Sequence, residues 1–187
     1  MRLLVPTNWD KELIFPLSQI KASVEIYGVL PTSMMGSGGS GPDIPQITTK
    51  QAEEYIDLAH SAGLTFNYLL NAPCLNNMEW QEDTHRELVQ HLEWLNSAGV
   101  DSVTVAIPYL LELIKAQFPR LRVEVSTIAH VNSVARAKFF KSLGADSIML
   151  DSNINRDFKL LKSIRSAVNC ELGVLTNTSC LYQCPYE

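Results

Sequence analysis

Ser97-Ala-Gly-Val-Asp-Ser-Val103 returns later in the chain as Ser142-Leu-Gly-Ala-Asp-Ser-Ile148, and Ser61-Ala-Gly-Leu-Thr-Phe66 is a weaker copy. Each copy carries small residues, one glycine, a short polar step and then apolar or β-branched residues. Glycine takes the left-handed position that ends a helix at little cost, so the pattern reads as helix end, tight turn and buried strand. Three such joints in one chain predict repeated βα units. Strands without evident charge between helices then mean a parallel sheet covered on its faces, with right-handed crossovers.

Working outward from these joints, the strand candidates are Leu3–Pro6, Val24–Tyr27, Leu64–Leu69, Ser102–Ile107, Arg122–Ser126, Ser147–Leu150 and Glu171–Leu175. Helical punctuation lies between them. Thr48 and Gln51 have capping-box spacing ahead of Ala52, Tyr55, Ile56 and Ala59, and Gly63 closes that helix. Thr84 and Glu87 repeat the spacing ahead of Leu88, Leu92 and Leu95, which end at Gly99. Asn132 is placed to cap a third helix carrying Val134, Ala137 and Phe140, closed by Gly144.

Composition bounds what such a fold can do. The 187 residues include 15 Lys+Arg against 20 Asp+Glu, a formal charge of −5, which argues against a dedicated DNA or RNA binder. Hydrophobic residues at 46% exclude intrinsic disorder, and four cysteines are too few for a disulfide scaffold. A domain of this size buries roughly 70% of its unfolded surface and needs no covalent staple. Met1-Arg-Leu-Leu-Val-Pro6 turns polar at Thr7, which leaves no signal-peptide core, and the apolar run Ala106 to Ile114 is broken by Pro108 and Glu112. The expectation is a cytoplasmic protein without a membrane span, in which paired cysteines point to metal binding rather than a disulfide.

Two parallel architectures fit: an open doubly wound sheet and a (β/α) TIM-barrel. The barrel is favoured because no Gly-x-Gly-x-x-Gly follows the first strand and polar residues follow nearly every strand. A full eight-unit barrel usually needs ~250 residues. Residues 1–187 are therefore read as a single barrel-like domain of about seven strands, apparently incomplete, with truncation at the carboxyl terminus, a naturally shortened barrel, or a homo- or hetero-oligomer completing the barrel as the alternatives.

In such a barrel the chemistry sits on loops after the strands. Candidates there are Asn8, Glu25, Asn71, Cys74, Ser126, Thr127, His130, Asp151, Asn177, Cys180 and Cys184. Cys180-Leu-Tyr-Gln-Cys184-Pro185 sets two thiols within one turn ahead of a proline that often trails iron–sulfur ligands. Cys74, after the third strand, is placed to join them; Cys170 precedes the seventh strand, roughly 20 Å away along it, and is expected to be a buried structural thiol. Three cysteines make a site for a metal or cluster, and a set of small packed thiols is the plainer alternative. A radical S-adenosylmethionine motif would need a third cysteine where Glu187 stands, and a zinc site lacks a fourth ligand after the pair. Gly36-Ser-Gly-Gly-Ser-Gly-Pro42 lacks the Lys-Ser/Thr of a phosphate loop and reads as an active-site loop. His130 stands where a general acid or base would, and an inward Glu25 must be paired or functional. Glu25, His130 and Asn177 are the catalytic candidates. His60, His85 and His91 are read as surface or packing residues, and Trp9, Trp80 and Trp94 as packing residues.

With these residues placed, the sequence resembles the peptidase U-32 family, the collagenase-like proteins of bacteria and archaea. The resemblance is carried by Leu3-Leu-Val-Pro6, Glu25-Ile-Tyr-Gly28, Asn71-Ala-Pro-Cys-Leu75 and Ser126-Thr-Ile-Ala-His-Val-Asn132. It continues through Leu143-Gly-Ala-Asp146, Asn155-Arg-Asp157 and Asn177-Thr-Ser-Cys-Leu-Tyr-Gln-Cys-Pro185. It implies a TIM-barrel-like catalytic domain. Some relatives are called proteases; others, in ubiquinone synthesis or RNA hydroxylation, look like oxygen-independent hydroxylases that hold a 4Fe–4S cluster through four cysteines. Carried over, the cluster ligands are Cys180, Cys184 and Cys74. The implied function is an iron–sulfur enzyme or enzyme subunit modifying a small or RNA-linked substrate. A collagenase-like peptidase, with Cys180 beside His130 as its route, and a non-catalytic partner subunit are the alternatives.

Overall fold

The computed structural model describes residues 1–31 and 45–177. Seven strands follow the chain in order: β1 (Arg2–Pro6), β2 (Ser23–Gly28), β3 (Thr65–Leu70), β4 (Ser102–Val105), β5 (Arg122–Val125), β6 (Ser147–Leu150) and β7 (Glu171–Val174). Their order in the sheet is β1-β2-β3-β4-β5-β6-β7. The pairs β1–β2, β2–β3, β5–β6 and β6–β7 are parallel. The helices between them are α1 (Ile14–Ser18), α2 (Thr49–Ser61), α3 (Glu82–Ser97), α4 (Pro108–Gln117), α5 (Val134–Ser142) and α6 (Phe158–Ala167). This is the parallel (β/α) TIM-barrel-like class expected from the repeats. Among the described residues no helix is long and apolar enough to cross a membrane.

The chain forms two compact units, Met1–Leu70 with Asn76–Val103, and Asn71–Leu75 with Thr104–Glu187. In the first, α2 turns Ala52, Tyr55, Ile56 and Ala59 inward, the stripe its period foretold, and all four are buried. Tyr55 meets Phe66 of β3 edge-on at 6.3 Å between ring centres. In the second unit Leu110, Leu111 and Ile114 of α4 are buried, as are Val123, Val125, Phe140 and Ile148.

The three glycine joints form alike. Gly63, Gly99 and Gly144 have φ of +77°, +77° and +105°. The residue after each reaches back to close the last helical turn: Leu64 N–H to Ala59 at 3.0 Å, Val100 to Leu95 at 3.1 Å and Ala145 to Phe140 at 3.2 Å. The aspartate of each strong copy then fastens the preceding strand. Asp101 accepts from the Phe66 N–H at 2.8 Å and faces His60, while Asp146 accepts from the Val123 N–H at 2.7 Å and pairs with Lys115. The joint is thus both a helix stop and a clamp on its neighbour.

Three local readings need correction. Thr48 does form the capping box with Gln51, whereas Thr84 lies inside the first turn of α3, which begins at Glu82. Ser133, not Asn132, caps α5 by accepting from Arg136. The fourth strand ends at Val105, because Pro108 opens α4, a helix the sequence reading did not assign. The strands are also not free of charge: Glu25 and Glu124 lie buried within β2 and β5.

Candidate functional site

In the second unit, the loops after β5 and β6 are tied together. Ser126 starts a 3-10 turn, Thr127–Ala129, by accepting from the Ile128 N–H at 3.3 Å. The turn closes on His130, held in the left-handed region at φ 48°, ψ 50°. Non-glycine residues seldom sit there, and strain of this kind concentrates at functional positions. Arg136 Nε anchors the turn by donating to the Ala129 carbonyl at 2.7 Å. Across the gap, Thr127 Oγ1 donates to the Leu150 carbonyl at 3.3 Å, and the Asp151 N–H to the Val131 carbonyl at 3.2 Å.

These ties bring His130 Nδ1 to 3.4 Å from Asp151 Oδ2. The carboxylate is 2% exposed and the imidazole 36%, so one side of the pair is dry and the other faces out. Asp151 Oδ1 is committed elsewhere: it accepts from both the backbone N–H and the side-chain amide of Asn153, each at 2.9 Å. Asp151 Oδ2 has no hydrogen-bond partner among the described residues. Beside them, Asn71 at the end of β3 donates from Nδ2 to Ser126 Oγ at 3.1 Å, and its buried Oδ1 likewise lacks a partner among the described residues. Two buried acceptors without a hydrogen bond, one of them with only the His130 imidazole near it, are costly and mark this corner of the unit as a candidate site. A histidine held by a buried carboxylate is an arrangement suited to proton transfer.

The other expected site residues are placed differently. Cys74 is exposed in the loop that begins with Asn71. Cys170 is buried, as a packed thiol should be, and burial pushes its pKa up. Asn177 is exposed and ends the described residues. Cys180, Cys184 and the glycine-rich segment Gly36–Pro42 lie outside them. Glu25 is not at the mouth of its strand: it is level with Leu4 and with Thr65, the first residue of β3. There it accepts from Arg2 at 2.7 Å and from Asn67 at 3.0 Å, which satisfies the requirement that a buried carboxylate be paired. Trp9 and Trp94 pack as expected, against Tyr55 and Tyr68, while Trp80 is 69% exposed. Sequence reading overlooked Glu124, which accepts from Ser147 Oγ at 2.8 Å. Among the described residues no three His, Cys, Asp or Glu side chains gather as a metal ion would require.

Comparison with known proteins decides the family. The sequence profile of peptidase family U32 matches residues 45–182. The chain belongs to peptidase family U32. An uncharacterized protease of Methanocaldococcus jannaschii, MJ1657, is 33% identical over 169 residues, covering 88% of this chain and 48% of that protein. The chain thus spans about half the length of this curated relative. The solved U32 peptidase Mk0906 superposes with a TM-score of 0.78 at 27% identity, covering 93% of this chain and 68% of that one. D-psicose 3-epimerase from Clostridium cellulolyticum H10 superposes at 0.57 with 14% identity over 93% of this chain and 73% of its own; it speaks for the barrel-like fold alone. In this U32 chain, then, the carboxyl ends of β5 and β6 hold the His130–Asp151 pair.

Proposed function

We propose that this U32 chain belongs to a peptide-bond hydrolase in which His130 moves the proton. The observation that carries the reading is the His130–Asp151 pair at the carboxyl ends of β5 and β6, where (β/α) barrels keep their chemistry. The names of the M. jannaschii relative and of Mk0906 support the substrate class. In the reaction His130 Nε2 takes the proton from the attacking nucleophile, either water or the Cys180 thiol, as the new bond to the peptide carbonyl forms. It then delivers that proton to the amide nitrogen as the C–N bond breaks, which frees the amine. Where the thiol attacks, a water deprotonated by His130 then hydrolyses the thioester, which releases the acid and returns the proton to the thiol. General acid–base catalysis of this kind contributes ~10²–10⁴-fold. His130→Gln should therefore lower hydrolysis of an unfolded collagen-derived peptide by at least about a hundredfold in a variant that still folds cooperatively. A folded variant that cleaves as fast as the parent sinks the reading.

A second reading, an iron–sulfur redox or hydroxylating enzyme of the cytoplasm, draws support from the cysteines. Cys74 is exposed in the loop carrying Asn71, which bonds to Ser126, while Cys170 is buried ahead of β7. Cys74 would act with Cys180 and Cys184, and a bound 4Fe–4S cluster would supply one-electron transfer. Of that ligand set the described residues contain Cys74 alone, and no three suitable side chains gather among them. Iron and sulfide measured after anaerobic reconstitution test it: stoichiometric iron that falls on Cys74→Ala supports the reading, and iron-free protein rejects it.

A further inference from the structure

We infer that Asp151 is a positioning residue that fixes His130 with its proton on Nδ1 and its Nε2 toward substrate. The inference rests on the acid–base reading of His130 and assigns it a partner. The geometry divides the carboxylate between two tasks. Oδ1 is clamped by Asn153 through two hydrogen bonds of 2.9 Å, so the carboxyl group cannot rotate freely. Oδ2 is left buried with no hydrogen bond, and His130 Nδ1 at 3.4 Å is its one ion-pair contact among the described residues. An ionised carboxylate oxygen accepts and never donates, so a hydrogen bond between the two groups needs the hydrogen on Nδ1. The second nitrogen of the neutral ring is then the basic one.

The backbone supports the same arrangement. His130 sits at a left-handed position that closes the 3-10 turn by its own N–H, bonded to the Thr127 carbonyl at 2.9 Å. The carbonyl just before it is held by Arg136. Held from both sides, the Cα–Cβ direction of His130 is set before any ligand arrives. At 3.4 Å the imidazole–carboxylate contact is looser than a full hydrogen bond, which is common before substrate binds and tightens afterwards. The turn at Ser152–Ile154, started by Asp151 itself, makes the carboxylate part of the scaffold rather than of a swinging loop. The sequence places both Asp151 and His130 among the residues after the strands but does not pair them, because they follow different strands.

Long-range proton–nitrogen correlation spectra of the full chain with ¹⁵N-labelled histidine read the tautomer directly. His130→Gln identifies the His130 signals among those of His60, His85 and His91. For neutral His130 the wild type should show Nδ1 protonated and Nε2 bare; a dominant Nε2–H form overturns the inference without recourse to any variant. Asp151→Asn should redistribute the two tautomers and lower kcat by roughly 10²-fold or more with KM held. A folded Asp151→Asn protein with unaltered His130 signals also overturns it. The spectra need no turnover, so a chain that shows the Nδ1–H form yet cleaves no peptide sinks the hydrolase reading and leaves the positioning of His130 standing.

Discussion

His91 shows how a single side chain sets a condition on the fold. Its ring lies 5.4 Å from Tyr68 and 5.3 Å from Trp94, between centres, and its buried Nε2 has no hydrogen-bond partner among the described residues. Burial lowers its pKa from 6.5 to about 4. The folded protein therefore binds the proton less readily than the unfolded chain. The stability this neutral ring contributes is complete above pH 6.5, declines as pH falls, and is lost by pH 4. The loss amounts to about 3 kcal/mol. Chemical denaturation at pH 7 and pH 5 checks it: His91→Phe should shrink the difference between the two, and an undiminished difference would put the acid sensitivity elsewhere. At this scale the sequence was legible where one residue decides, as at the Thr48 cap. It failed at Thr84, because capping-box spacing does not say where the chain turns. Helix α3 begins earlier and Thr84 is buried in its first turn.

Elements are fastened by the repeated joint, and the aspartate is its telling part. Removing Asp146 strips the Val123 N–H of its acceptor and leaves Lys115 with the Leu121 carbonyl but no carboxylate; removing Asp101 takes the acceptor from the Phe66 N–H and the carboxylate from His60. Asp146→Ala and Asp101→Ala should each destabilise the protein by about 1–3 kcal/mol, the cost of an unsatisfied buried donor. In urea titrations the midpoint should fall with an unchanged slope; unmoved midpoints would reduce the motif to a turn signal. All seven strands were readable from the sequence: β3, β4 and β6 follow such a joint, and the others are short segments of β-branched or apolar residues, alternating with charge in β5. Helix α4 escaped because its buried residues, Leu110, Leu111, Leu113 and Ile114, crowd into one short apolar run that continues from β4, where periodicity alone does not separate helix from strand.

For the whole molecule, burial is uneven along the sheet order. No residue of β1 or β7 is fully buried, whereas all four of β4 and three of the four in β5 are. Native-state hydrogen exchange should accordingly show the lowest protection in β1 and β7 and the highest in β4 and β5. Uniform protection would mean that the sheet opens only as one piece. The candidate site was half legible at this level. His130 announced itself by following a strand, but its partnership with Asp151 joins loops after two different strands, and only their register in space makes it. Glu25 misled for the opposite reason: a strand of six residues does not say at which height its carboxylate stands, and Arg2 meets it well inside.

The clamps formed by Asp101 and Asp146 stand just before β4 and β6, while His130 and Asp151 stand just after β5 and β6. Within the second unit, then, the clamp at Asp146 and the proposed site at Asp151 stand at opposite ends of β6. Loops beyond its carboxyl end are open to exchange, lengthening or grafting with little penalty to the strand itself.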